Sequence, residues 1–174
     1  MADRGLTGVL LVGGASTRFG SPKALARLGG ETLAERAWRT LGEVCDERIA
    51  VGKSDDALDL PFPVLDDGVQ QRAAIHGLVA GLRAAQHDVA VVIPVDLPFM
   101  TASSLRELAA SCRDAAIPPN GPLPGAYRKS VLPSLLTGEL SIKRAIAELD
   151  VAIVDLDPTQ LVNVNRPEDL ERLR

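Results

Sequence analysis

The sequence predicts an α/β fold built on a mainly parallel sheet, and three observations carry the prediction. Short apolar runs alternate with segments of helical periodicity. Those runs end in glycine or aspartate, and the strongest, VAVVIPV at residues 89–95, is apolar throughout, as a strand covered on both faces must be. With 174 residues, 46% hydrophobic and 24% charged, the chain has the length and apolar content for one domain with a sizeable core.

The first strand is expected at residues 7–12 (TGVLLV), a short apolar run stopped by Gly13 and Gly14. Without Cβ atoms, these glycines let the backbone turn sharply and bring N–H groups up to phosphate oxygens. Arg18 and Lys23 follow within reach. A guanidinium grips phosphate through two parallel hydrogen bonds and an ammonium acts as a movable point charge, so the pair suits a polyphosphate. A nucleoside triphosphate site is the inference. Two common phosphate motifs do not fit, because Lys23 comes after Ser21 and Pro22 and because the first glycines are adjacent. Adjacent glycines after a strand also serve ordinary turns.

Residues 31–41 place Leu33, Ala34, Ala37, Trp38 and Leu41 on one side of a helix, with Thr32, Glu35, Arg36, Arg39 and Thr40 largely opposite. Trp38 on that stripe reads as core rather than as a base-stacking platform. Strands at residues 48–51 and 62–65 follow, joined by the polar segment 53–59, and complete a parallel βαβ unit. Ligands of open α/β sheets bind at the carboxyl ends of strands, where Asp66, Asp67 and Gly68 emerge. Asp-Gly fits a turn equally well. Residues 73–85 form the next helix, with Ile75, Leu78, Val79, Leu82 and Ala85 in register. Its Gly77 and Gly81 each cost roughly 1 kcal/mol against alanine, so close packing or a ligand must justify them. His76 lacks a partner at ligand spacing and reads as structural, and His87 as a surface residue.

Strand 89–95 belongs in the middle of the parallel sheet and delivers Asp96 to the edge where the glycine loop opens. A lone carboxylate there is costly to bury unpaired, and a divalent metal is its natural partner in a phosphate-handling site; a turn or helix cap also uses aspartate. Beyond it come a capped helix at 101–112 and an irregular segment at 117–127 that leads into a short strand. A helix at 141–149, a strand at 151–156 and a final helix opened by Pro167 complete the chain.

The net charge of −4, with dispersed Lys and Arg, offers no basic stripe for nucleic acid. Cys45 and Cys112 are far apart and form no metal or disulfide pattern, which reads as reduced core thiols. No apolar run approaches the ~18 residues of a membrane span and no signal-peptide pattern is seen, so a cytoplasmic location without membrane attachment is expected.

The string GGASTRFGSPKAL at residues 13–25 resembles the signature loop of the MobA-like nucleotidyltransferases, the molybdenum cofactor guanylyltransferases and their relatives. VDLPF at 95–99, PLPGAY at 122–127 and NVNRPEDL at 163–170 resemble further blocks of that family in the same order. The resemblance implies a single-domain, Rossmann-like, three-layer nucleotidyltransferase fold over residues 1–174. It implies transfer of GMP from GTP to the phosphate of molybdopterin, with release of pyrophosphate. On this pattern Leu11, Gly13 and Gly14 lie on the nucleotide loop, Lys23 is the phosphate-binding lysine, and Asp67 is a nucleotide contact. Asp96 binds nucleotide and Mg2+, with Mn2+ left open, while Asn163 and Asn165 lie on the pterin side. Arg18, Lys23 and Asp96 form the catalytic set, and cofactor-biosynthesis or molybdoenzyme-maturation proteins are the implied protein partners.

Three departures stand out. Val51, Gly52 and Lys53 occupy a place where many members carry asparagine, the segment between Asp67 and Gly77 is long, and that between Phe99 and Pro122 is compact. A cytidylyltransferase, a transferase to another small phosphate, and a non-catalytic nucleotide and pterin adaptor stay open as alternatives. Arg18, Lys23 and Asp96 together speak against the adaptor.

Overall fold

The computed structural model describes residues 5–13 and 19–174. After β1 (Leu6–Leu11), the short strands β2 (Arg27–Leu28) and β3 (Glu31–Thr32) pair as a hairpin, followed by α1 (Leu33–Gly42). Then come β4 (Glu47–Gly52), β5 (Val64–Asp66), α2 (Ala74–Ala84), β6 (Val89–Pro94) and α3 (Ala102–Ser111). The last third holds β7 (Ala115–Ile117), β8 (Gly125–Arg128), α4 (Leu132–Leu135), α5 (Ile142–Ala145), β9 (Val151–Ile153) and α6 (Pro167–Arg172). Seven strands form one sheet in the order β5-β4-β1-β6-β8-β7-β9. All neighbours are parallel except β8, which runs antiparallel to both β6 and β7.

Residues alternate across the sheet with period two, and the two faces feed two cores. Leu10, Val12, Val91 and Ile93 pack with Leu33 and Leu41 of α1 and with Leu105 and Leu108 of α3. Val9, Leu11, Ala90 and Val92 face the other way, against Ile75, Leu78 and Leu82 of α2, Leu135 of α4 and Ile142 of α5. The result is a three-layer α/β fold. As expected, β6 is central, the fourth of seven strands, but only its β1 side is parallel. The chain returns through β8 from β7 by a loop, and an antiparallel neighbour needs no crossover helix.

Helix α1 begins at Leu33 because Thr32 caps it. The Thr32 hydroxyl accepts from Glu35 N (3.0 Å) and Thr32 N donates to Glu35 Oε2 (2.8 Å). Glu31 and Thr32, expected in the helix, instead pair in the hairpin, whose turn Gly29-Gly30 has φ of 63° and 84°. Thr40, expected on the polar side, is buried, its hydroxyl donating to Arg36 O at 3.1 Å. Trp38 is half-buried and packs as a core edge, stacked on Phe62 with ring centroids 4.2 Å apart.

The other differences have local causes. β7 is three residues long, too short for its AAI to show a period. The expected helix at 141–149 reduces to α5, after which Ala147 N and Leu149 N reach back only three residues, to Arg144 O and Ile146 O. The strand expected at 151–156 stops at Ile153, and α4 was not anticipated. His87 is half-buried rather than on the surface, its ring lying over the bare Gly5 backbone. Cys45 and Cys112 are free and partly buried, and burial pushes their thiols up to about 12 and about 11. Among the described residues, no helix is long and apolar enough to cross a membrane.

Close approach accounts for the glycines of α2. A Cβ on Gly81 would lie 2.6 Å from Val9 Cγ1, and one on Gly77 would lie 2.9 Å from Leu11 Cδ2. Val9 is β-branched and fully buried, so it cannot swing aside. Gly81→Ala is therefore expected to lose about 2 kcal/mol in urea unfolding, overpacking outweighing the ~1 kcal/mol helix gain. Combined with Val9→Ala, the two losses should fall short of additive. A stabilised Gly81→Ala protein would mean that α2 does not press on β1 as described.

Candidate active site

Because β5, β4, β1 and β6 run parallel, their carboxyl ends finish at one edge. Backbone pairing continues just past them: Val12 N donates to Val51 O (2.9 Å), Val95 N to Leu11 O (3.1 Å) and Asp67 N to Gly52 O (3.1 Å). A cleft of about 240 Å³ opens there, lined by Leu11, Gly13, Lys23, Lys53, Asp67 and Asp96, with Arg72, Gly77 and Leu123 among its walls. Five of the residues singled out from the sequence thus meet in one cavity. Gly14 and Arg18 lie outside the described residues.

Lys23 opens a short 3₁₀ turn, Lys23–Leu25, anchored by the buried Ala24. Its ammonium stands 3.5 Å from Asp96 Oδ2 and donates to Asn165 Oδ1 at 3.3 Å. The segment carrying Asn165 is fastened to the same point, since Val164 N donates to Asp96 O at 2.9 Å. Asp169 fixes its far side by accepting from Asn165 N and Arg166 N, each at 2.9 Å. Asn163 is exposed on this segment and does not line the cleft.

Asp96 is the electrostatic centre of the site. Burial pushes its carboxyl above the ordinary aspartate range, and the charge and hydrogen bond of Lys23 only partly oppose this. Its Oδ1 is buried without a hydrogen-bond partner among the described residues.

Toward the β5 edge a second lysine–aspartate pair is closed. Lys53 Nζ donates to Asp67 Oδ1 at 2.7 Å, to Gln71 O at 3.0 Å and to Val69 O, while Val69 N also donates to Asp67 Oδ1 at 3.0 Å. The two side chains are only 11% and 5% exposed. Asp66, by contrast, does turn chemistry. Its carboxylate accepts from the Ser54 hydroxyl and N–H and from Gly68 N, which hold it down at about 2. Of the two adjacent carboxylates, only Asp67 faces the cleft.

Sequence reasoning missed Lys53 as a cleft residue. The available signal was its position, the first charged residue past the β4 glycine, matching Asp67 after β5 and Asp96 after β6. His76, beside the cleft-lining Gly77, does not line the cavity, and its Nε2 is buried without a partner among the described residues.

Residues 8–153 match the family described as the MobA-like NTP transferase domain. The chain belongs to this family. A probable molybdenum cofactor guanylyltransferase of Chloroflexus aggregans is 34% identical, over 95% of this chain and 92% of its own. Among solved structures, the molybdopterin-guanine dinucleotide biosynthesis protein A of Archaeoglobus fulgidus superposes with a TM-score of 0.78 at 25% identity, covering 95% of each chain. A nucleotidyl transferase from Methanothermobacter thermautotroptrophicus shares the fold, with a TM-score of 0.81 at 21% identity over 98% of this chain and 96% of that one.

Within this MobA-like site, the described residues include no group of three or more His, Cys, Asp or Glu able to hold a metal. One carboxylate with an unpartnered oxygen does suit Mg2+, which binds through one or two carboxylates and completes its shell with substrate phosphates and water.

The raised Asp96 carboxyl has a consequence for stability. A group whose pKa is higher folded than unfolded contributes stability at low pH that is lost as pH rises through the folded value. At neutral pH the ionised Asp96 therefore costs stability. Asp96→Asn should melt at or above the parent temperature near pH 7.5, with the gap closing as pH falls toward about 4. A variant that melts lower throughout this range would show that the Lys23 pairing outweighs burial.

Proposed function

We propose that this protein transfers GMP from GTP to the phosphate of molybdopterin, releasing pyrophosphate and forming molybdopterin guanine dinucleotide. The observation that carries the reading is the Lys23–Asp96 pair, which sets beside Gly13 in the cleft a cation and a carboxylate whose buried Oδ1 has no partner among the described residues. The molybdenum cofactor guanylyltransferases related to it over nearly the whole chain support the choice of substrates.

The reaction needs little acid–base chemistry. An anionic phosphate oxygen of molybdopterin attacks the α-phosphorus of GTP in line, and the bond from that phosphorus to the bridging oxygen breaks, its electron pair leaving with pyrophosphate. Positioning and charge neutralisation account for most of the rate in such transfers. Gly13, which lines the cleft, offers its backbone N–H to the phosphates, and Gly14 is assigned to the same nucleotide loop. Lys23, with Arg18, neutralises the charge that gathers on the departing pyrophosphate. Asp96 would hold Mg2+, which when bound supplies Lewis-acid polarisation of phosphate oxygens. Asn163 and Asn165 take the acceptor side, and Asn165 also steadies Lys23. In this reading residues 1–174 work as one domain in the cytoplasm, exchanging the pterin with cofactor-biosynthesis or molybdoenzyme-maturation proteins.

Pyrophosphate release in Mg2+, measured with GTP, CTP, ATP and UTP with and without molybdopterin, tests the proposal. Release with GTP that requires molybdopterin is expected; release with CTP instead would move the protein to cytidylyl transfer, and silence with every nucleotide would overturn the reading. Asp96→Asn should lower turnover by about 10²–10³-fold while GTP still binds. Lys23→Ala should weaken GTP binding by about 10-fold or more, the value of one charged hydrogen bond. Unchanged GTP affinity would remove Lys23 from the phosphate site.

A further inference from the structure

We infer that Lys53 is a positioning residue that makes the β5 end of the cleft a pocket for a base carrying two adjacent hydrogen-bond donors, guanine among the common four. The inference rests on the nucleotidyltransferase reading above and deepens it by assigning the base.

The sheet sets the length of the site. Lys23 and Asp96 mark the phosphate end at β1 and β6, while Asp67 follows β5, three strand intervals from β6. Three intervals span about 14 Å, which leaves ribose and base to lie toward Lys53 and Asp67.

Lys53 controls what that end can offer. An ammonium has three protons, and here they go to Asp67 Oδ1, Val69 O and Gln71 O. None is left for a base. The two carbonyls are also taken, which ties residues 69–71 against the cleft. Asp67 Oδ1 receives both Lys53 and Val69 N, so Oδ2 is the oxygen left to accept from a ligand. With its side chain 5% exposed, Asp67 is held in one orientation. The lysine charge also offsets a carboxylate that would otherwise repel a polyphosphate in the same cleft.

A fixed carboxylate whose lysine partner has no proton left for the ligand discriminates among bases. Guanine presents N1–H beside its N2 amine. Cytosine and adenine place an unprotonated ring nitrogen beside their amine, and the uracil N–H lies between two carbonyls. Against a fixed carboxylate those acceptors are desolvated without a partner, the situation in which polar sites discriminate most strongly. Lys53 acts through Asp67, so its removal should fall on base selection more than on chemistry.

Calorimetric titration of the intact protein with GTP, ITP and CTP in Mg2+ tests this; ITP keeps N1–H and lacks the N2 amine. The parent should bind GTP at least about 100-fold more tightly than CTP, with ITP between them. In Lys53→Met, GTP affinity should fall at least about tenfold with CTP changed less than about twofold, and KM for GTP should rise while kcat falls less than about threefold. Lys53→Gln keeps two donors, and where Lys53→Met does not fold it carries the same test through a GTP-to-CTP ratio lowered at least about threefold. A GTP preference that survives in the folded variants overturns the role of Lys53 and leaves guanylyl transfer standing. A parent that binds CTP as tightly as GTP overturns the donor-edge pocket together with GTP as the substrate, and a parent that binds no triphosphate overturns the reading beneath both.

Discussion

The parallel pairing of β1 with β4 on one side and β6 on the other is the constraint on which the rest of the molecule depends. Register is held twice. Alternation sends Leu10 and Val12 to one core and Val9 and Leu11 to the other, so a one-residue slip would turn every apolar side chain to the wrong face. Gly81 and Gly77 of α2 then sit over Val9 and Leu11, and a shifted strand would drive other side chains into them. With register fixed, the strand ends fall level, and Gly13, Lys53, Asp67 and Asp96 reach one cleft without a long loop to place them.

The two lysine–aspartate pairs at that edge are in different physical states. The Lys53 and Asp67 side chains are largely buried, with every lysine proton and one carboxylate oxygen bonded, and such a pair is worth more as a fixed orientation than as net stability. Lys23 and Asp96 stand at 3.5 Å, with one carboxylate oxygen lacking a partner among the described residues, so charge is kept available at an energetic cost. Residual electrostatic strain of this kind is what a site for a polyphosphate and its counter-cation would relieve on binding.

Much of this was legible in the sequence where a run was long enough to show its period. β1, β4 and β6 announced themselves as apolar runs, α1, α2 and α3 as amphipathic repeats, and Asp96 as the residue ending the strongest strand. Short elements carried no period: β7 is three residues, α4 is four, and β2 and β3 are two each. The reversed direction of β8 left no mark, since apolar alternation is the same read either way along a strand. At the site, Asp67 could not be told from turn chemistry because its neighbour Asp66 does perform it. Lys53 was hidden because its role depends on two carbonyls, and backbone acceptors carry no residue identity.

The segment around Val164 and Asn165 closes the site from the far end of the chain, bonding Asp96 through the backbone and Lys23 through a side chain 142 residues distant. During synthesis the glycine loop emerges early and Asp96 later, but the Lys23–Asn165 link cannot form until that late segment has left the ribosome. Lys23 thus gains its bond to Asn165 only after the sheet's strands have all been made. Without that segment Asp96 O and Lys23 each lose a bond at the cleft, so the site is completed by residues that lie beyond every strand of the sheet.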